Sequence, residues 1–189
     1  MSSKGQRWTP AHAAENMALE MDYKDRLDEY RSERKEKVQE CQNTVRRHKI
    51  ELQEKIAAIK ADIEKRVLFV KHRIDMMKDE RAVLRHKMNS TQEADNDFNA
   101  GELMRLTADI DSQRHTLIEL DEERITRITA QKNAYEKERA IMQRHIATLN
   151  ENYRVKAKKL RAELMASYKE NREKADAQRA EQEGGEGNG

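Results

Sequence analysis

The sequence predicts an all-α fold: two long amphipathic helices closing on each other as an antiparallel coiled-coil hairpin. Three observations lead there. Apolar residues recur every three or four positions for about 150 residues, the period of one helical face. The pattern breaks once, at NSTQEADNDFNAG (Asn89–Gly101). The chain is 39% charged and only 4% aromatic, too poor in large apolar side chains for a compact globular core.

The N-terminal segment 1–9 is read as a polar arm holding Trp8, the single tryptophan. Thr9-Pro10 is a helix start, since Thr caps and Pro suits the first helical position. Trp8 either staples back onto Ala13 or serves as an anchor for a partner, because a lone aromatic on an arm is a typical hot-spot residue.

Helix 1 is expected over 10–88. Its stripe runs Leu27, Tyr30, Arg34, Val38, Cys41, Val45, His48, Leu52, Ile56, Ile59, Ile63, Val67, Val70, Ile74, Met77, Arg81, Leu84, Met88. Between Cys41 and Ile74 it repeats every eleven residues, as in Cys41, Leu52, Ile63 and Ile74. An eleven-residue repeat winds nearly straight or slightly right-handed.

The connection is placed at 89–101. Asn89 suits a left-handed helix end. Ser90 with Glu93, and Asn99 with Glu102, have capping-box spacing. Asp95, Asn96, Asp97, Asn99 and Gly101 are turn formers.

Helix 2 is expected over 102–181, followed by a flexible tail at 182–189. Its seam reads as heptads. One row is Ile118, Ile125, Lys132, Arg139, Ile146, Tyr153, Leu160; the other is Asp121, Ile128, Tyr135, Met142, Leu149, Lys156, Glu163. Seven against eleven is a mismatch of supercoils, which implies a third helix or another protein surface to complete the packing.

Charge chooses between a hairpin and one near-continuous helical rod. Residues 46–90 carry 13 basic and 7 acidic side chains, while 91–130 carry 4 and 10. Folding back at residue 95 pairs positions whose numbers add to about 191 and sets Lys65, Arg66, Lys71 and Arg73 against Glu119, Asp121, Glu122 and Glu123. Each exposed pair is worth only about 0–1 kcal/mol, but the pattern selects orientation. A parallel in-register dimer would stack like on like.

Several chemistries are excluded or weakened. No phosphate-binding glycine loop, nucleophile motif or carboxylate pocket occurs, so no enzyme and no cofactor are expected. Asp95-x-Asp97-x-Asn99 resembles the start of a calcium loop, but Ala100 stands where the sharp turn needs Gly and Leu106 where the bidentate acid belongs. The six histidines lack zinc spacing, although the hairpin would bring His48 near His145. No apolar run is long enough to span a membrane, and MSSKGQRWTPAHAAENM has no apolar signal core. The lone Cys41 fits a reducing compartment, with cytoplasm as the default.

Three basic clusters remain as candidate contacts: Arg31–Lys37, then Arg46, Arg47 and Lys49, then Lys156–Arg161 with Lys158, Lys159 and Arg161. They suit an acidic polymer. Nucleic acid fits less well, because acids interleave and stacking aromatics are absent.

Met165-Ala166-Ser167-Tyr168-Lys169-Glu170-Asn171-Arg172-Glu173 resembles part of the tubulin-binding helical repeat of the stathmin family. The resemblance covers nine residues, without that family's second copy or proline-rich segment, and implies tubulin as a ligand. More broadly, the chain looks like small coiled-coil proteins of the axoneme and other microtubule cytoskeletons. The expectation is a non-enzymatic structural protein along a cytoskeletal polymer, with ciliary or flagellar microtubules favoured. Its contacts would be Trp8, Arg46, Arg47, Lys49, Lys158, Lys159 and Arg161, and its partners other coiled coils, a second copy, or tubulin. The alternatives are a regulatory adaptor in a heteromeric coiled-coil complex and a tubulin-sequestering helix.

Overall fold

The computed structural model describes residues 10–90 and 93–185. It is an antiparallel hairpin of two helices, α1 (Pro10–Met88) and α2 (Glu93–Gly185). The arm with Trp8 and Thr9, and tail residues 186–189, lie outside the described residues.

The turn is tighter than its chemistry predicts. Asp97, Asn99 and Gly101 are inside α2, which begins at Glu93 rather than near Glu102. That also removes the calcium-loop geometry, since Asp97 through Leu106 is continuous helix. Asn89 is not left-handed, because no described non-glycine residue has positive φ. Instead the Asn89 N–H donates to the Arg85 carbonyl (3.2 Å) and the Ser90 N–H to the Lys87 carbonyl (3.0 Å). The Ser90 hydroxyl donates to the carbonyls of His86 and Lys87, at the end of α1. Arg85 and His86 in this last turn suit the negative end of the dipole.

The chain divides into two compact units, a turn-proximal one (Val45–Arg139) and a terminal one made of residues 1–44 and 140–189. In the turn-proximal unit the core is aliphatic: Ile59, Ile63, Val70, Ile74 and Met77 of α1 pack on Leu106, Ile110 and Leu120 of α2. Val67, Leu84, Leu117 and Ile128 border it. Burying each such side chain contributes roughly 1.5–3 kcal/mol. The terminal unit buries far fewer apolar groups, chiefly Cys41, Leu160 and Ala175. Polar bridges supplement them. The Tyr168 hydroxyl donates to Glu20 (2.8 Å), and Asn171 donates to Asn16 (3.1 Å).

The predicted α1 stripe faces α2 along its length: every residue named for it is buried or half-buried. The predicted α2 heptads hold in part: Ile146, Tyr153 and Leu160 of one row and Ile128, Tyr135, Met142 and Leu149 of the other are buried or half-buried, while the remaining members are exposed. Ile118 and Ile125 are 56% exposed, and Lys132 and Arg139 are exposed as well. Eleven-residue steps, as on α1, also run through the face α2 buries. In the terminal unit one row is Met142, Tyr153, Leu164, Ala175 and a second is Ile146, Ala157, Tyr168. In the turn-proximal unit Leu106, Leu117 and Ile128 keep the same step. With equal periods the two helices stay in contact without opposing supercoils. The shared eleven-residue step reduces the expected mismatch.

Candidate functional site

Cross-helix ion pairs fix the register in the turn-proximal unit. Arg66 lies 2.8 Å from Glu123, and Arg127 2.9 Å from Asp62; each pair of numbers adds to 189, two short of the expected 191. Arg66 and Arg127 hold the Glu123 carboxyl below its ordinary pKa against partial desolvation. Of the four cations expected to meet the acidic block, Arg66 alone forms an ion pair among the described residues. Asp121 is taken by Arg124 and Glu119 by His115, neighbours on their own helix. Three- and four-residue spacings along a helix are shorter reaches than the crossing. Lys65, Lys71 and Arg73 therefore stay without carboxylate partners among the described residues. Within the same unit, His48 Nδ1 lies 2.9 Å from Glu138 across the helices.

The basic clusters separate into committed and uncommitted groups. Arg31–Lys37 is largely committed. Arg31 donates to Asp28 (2.9 Å) and, through Nε, to the Tyr153 hydroxyl (3.1 Å). Lys37 and Lys156 both reach Glu33, at 2.6 and 3.3 Å, and hold its carboxyl below the usual glutamate pKa. Arg34 and Lys156 lie over the rings of Tyr153 and Tyr30, 4.7 and 4.9 Å from the centroids. These residues line a groove of about 260 Å³ with Leu149 and Lys37. Arg34 donates from Nη1 to Asn150 (3.3 Å), while its Nε is buried with no hydrogen-bond acceptor. The sequence pattern missed this clasp. Its signal was a cation or an aromatic at stripe positions 30, 34 and 153, where apolar residues would serve packing alone.

Arg46, Arg47 and Lys49 are exposed and have no ion-pair partner among the described residues. The same holds for Lys158, Lys159 and Arg161. The first trio lies in the turn-proximal unit and the second in the terminal unit. Sequence reasoning also overlooked a row: Lys49, Lys60 and Lys71 stand eleven residues apart on one side of α1, all exposed and unpaired among the described residues. At 1.5 Å per residue they recur about every 16 Å. Eleven residues make three turns in this repeat, so the three ammonium groups share one direction.

Among the described residues no cluster of three metal-binding side chains exists, and no helix is long and apolar enough to cross a membrane. No protein-family model matches the chain, and neither does any curated protein or solved structure.

Proposed function

We propose that this is a non-enzymatic coiled-coil structural protein that binds along an acidic cytoskeletal polymer, with the microtubules of a cilium or flagellum as the favoured track. One observation carries the reading: the cations of α1 from Arg46 to Lys71 are exposed and largely uncommitted among the described residues, three of them in a line. A basic cluster that serves its own fold is neutralised, as Arg31 and Lys37 are. A cluster that serves a partner keeps its charge available for steering and contact. A repeating row of lysines suits a surface that itself repeats.

The stathmin-like segment supports decoration rather than sequestration. Its Tyr168 and Asn171 are bonded to Glu20 and Asn16 of α1, so two of its side chains are occupied by the fold.

Co-sedimentation with microtubules across a salt series tests the proposal. Binding is expected at low ionic strength and should weaken as salt screens the contact. Replacing Arg46, Arg47 and Lys49 together by Glu should weaken binding with helicity kept. Trp8→Ala tests the arm separately. If the parent chain stays in the supernatant at low salt, the polymer reading fails and the adaptor reading takes its place.

A further inference from the structure

We propose that two copies of this chain pair through a second, self-complementary stripe on α1, forming an antiparallel two-fold dimer centred on Met76. The stripe is Phe69, Arg73, Met76, Glu80, Val83, with steps of four, three, four and three. Each member stands one residue before a member of the stripe that faces α2 (Val70, Ile74, Met77, Arg81, Leu84). One residue is a rotation of about 100° at 3.6 residues per turn, so this second stripe lies on the flank of the hairpin. It is open: Phe69 is 68% exposed, Met76 53% and Val83 55%, three large apolar side chains at seven-residue spacing. All belong to the turn-proximal unit.

The order of residues names the occupant. Met76 is the midpoint, with Phe69 seven before it and Val83 seven after. Arg73 and Glu80 flank it with opposite charges. Two such stripes laid antiparallel, with Met76 on the axis, set Phe69 on the partner's Val83 and Arg73 within one residue, about 1.5 Å along the axis, of the partner's Glu80. The symmetry makes each contact twice. A parallel pairing would set Arg73 on Arg73 and Glu80 on Glu80, which like-charge repulsion disfavours. Neither charge has an ion-pair partner among the described residues, and Glu80 acts on Arg105 only weakly through space. Phe69 also walls an apolar groove of about 290 Å³ with Val70, Thr116 and Leu120, at whose mouth the partner's Val83 would rest.

The test combines sedimentation with site-directed cross-linking. The parent chain is expected to sediment at twice its own mass as concentration rises. Cys41→Ala removes the one native thiol. On that background Met76→Cys should give a disulfide-linked dimer on mild oxidation, because a residue on the axis meets its own copy within bridging range. Phe69→Cys alone should not link, whereas a mixture of Phe69→Cys and Val83→Cys chains should. Arg73→Glu and Glu80→Arg should each weaken dimerisation about tenfold, and the double exchange should restore it. Phe69, Arg73, Met76, Glu80 and Val83 are exposed, so their substitutions should leave helicity by circular dichroism at the level of the Cys41→Ala background. A chain that is monomeric at every concentration, a Phe69→Cys chain that links to itself, or a double exchange that fails to recover dimerisation overturns the proposal.

Discussion

The guanidinium of Arg34 lies 4.7 Å from the centre of the Tyr153 ring, while Arg31, one turn earlier on α1, donates to the hydroxyl of the same tyrosine. One α2 side chain thus receives two α1 cations, one on its face and one at its tip. Removing the ring should matter more than removing the hydroxyl. Tyr153→Ala is expected to destabilise by roughly 2 kcal/mol, from lost burial plus an exposed-type cation–π contact of about 0.5–1 kcal/mol. Tyr153→Phe should cost only about 0.5–1 kcal/mol, the worth of one hydrogen bond. Urea melts of the two variants against the parent check the order.

The face α2 buries can be read by truncation. Ile110 is fully buried at 0% exposure, whereas Ile118 and Ile125 sit outside the seam. Ile110→Ala should cost about 2–5 kcal/mol. Ile118→Ala and Ile125→Ala should each stay within about 0.5 kcal/mol. Equal losses at the three sites would return α2 to the heptad register.

Gly101 is a correctable weakness. It lies inside α2, has no positive φ, and a Cβ placed there meets nothing within 4 Å. Gly101→Ala should therefore stabilise by about 0.5–1 kcal/mol, by narrowing the unfolded ensemble without a clash. A rise in Tm checks it; a fall would mean that the glycine is needed for a bend at the start of α2.

Acid should loosen the crossings. The carboxyls of Glu33 and Glu123 are held below their ordinary pKa by Lys37 and Lys156, and by Arg66 and Arg127. A depressed acid contributes stability that is present above its unfolded pKa and lost as pH falls through the folded one. The loss belongs to the range below about pH 4. Thermal melts from neutral pH downward should show a falling Tm there, and Glu123→Gln should flatten the slope. Both groups are solvent-accessible, so the effect is expected to be small and to shrink with added salt.

Labels at Lys71 and Glu119 test the fold-back within the turn-proximal unit. The register that joins Arg66 to Glu123 should bring them within about 20 Å, against roughly 70 Å along a continuous helix. A long distance within one chain in a dipolar-coupling experiment would exclude the hairpin.

The sequence by itself determined that the chain is helical, where α1 stops and which face of α1 is buried. Those properties are local: helical period, the absence of proline after Pro10, and a stripe whose members are mostly aliphatic. It could not determine which face α2 uses. On α2 isoleucines at 118 and 125 compete with those at 110 and 128, and the apolar pattern alone fits two periods. Only packing chose: the α1 stripe buries Ile110 and Ile128 and leaves Ile118 and Ile125 exposed. The same holds for the turn. Asp97, Asn99 and Gly101 have turn preferences of a fraction of a kcal/mol each, and burying Leu106 and Ile110 against α1 outweighs them. Charge clusters looked alike in sequence. The tertiary structure separated them, neutralising Arg31 and Lys37 within the clasp and leaving Arg46, Arg47, Lys49, Lys60 and Lys71 exposed, because an ion pair depends on which side chains the crossing brings within reach.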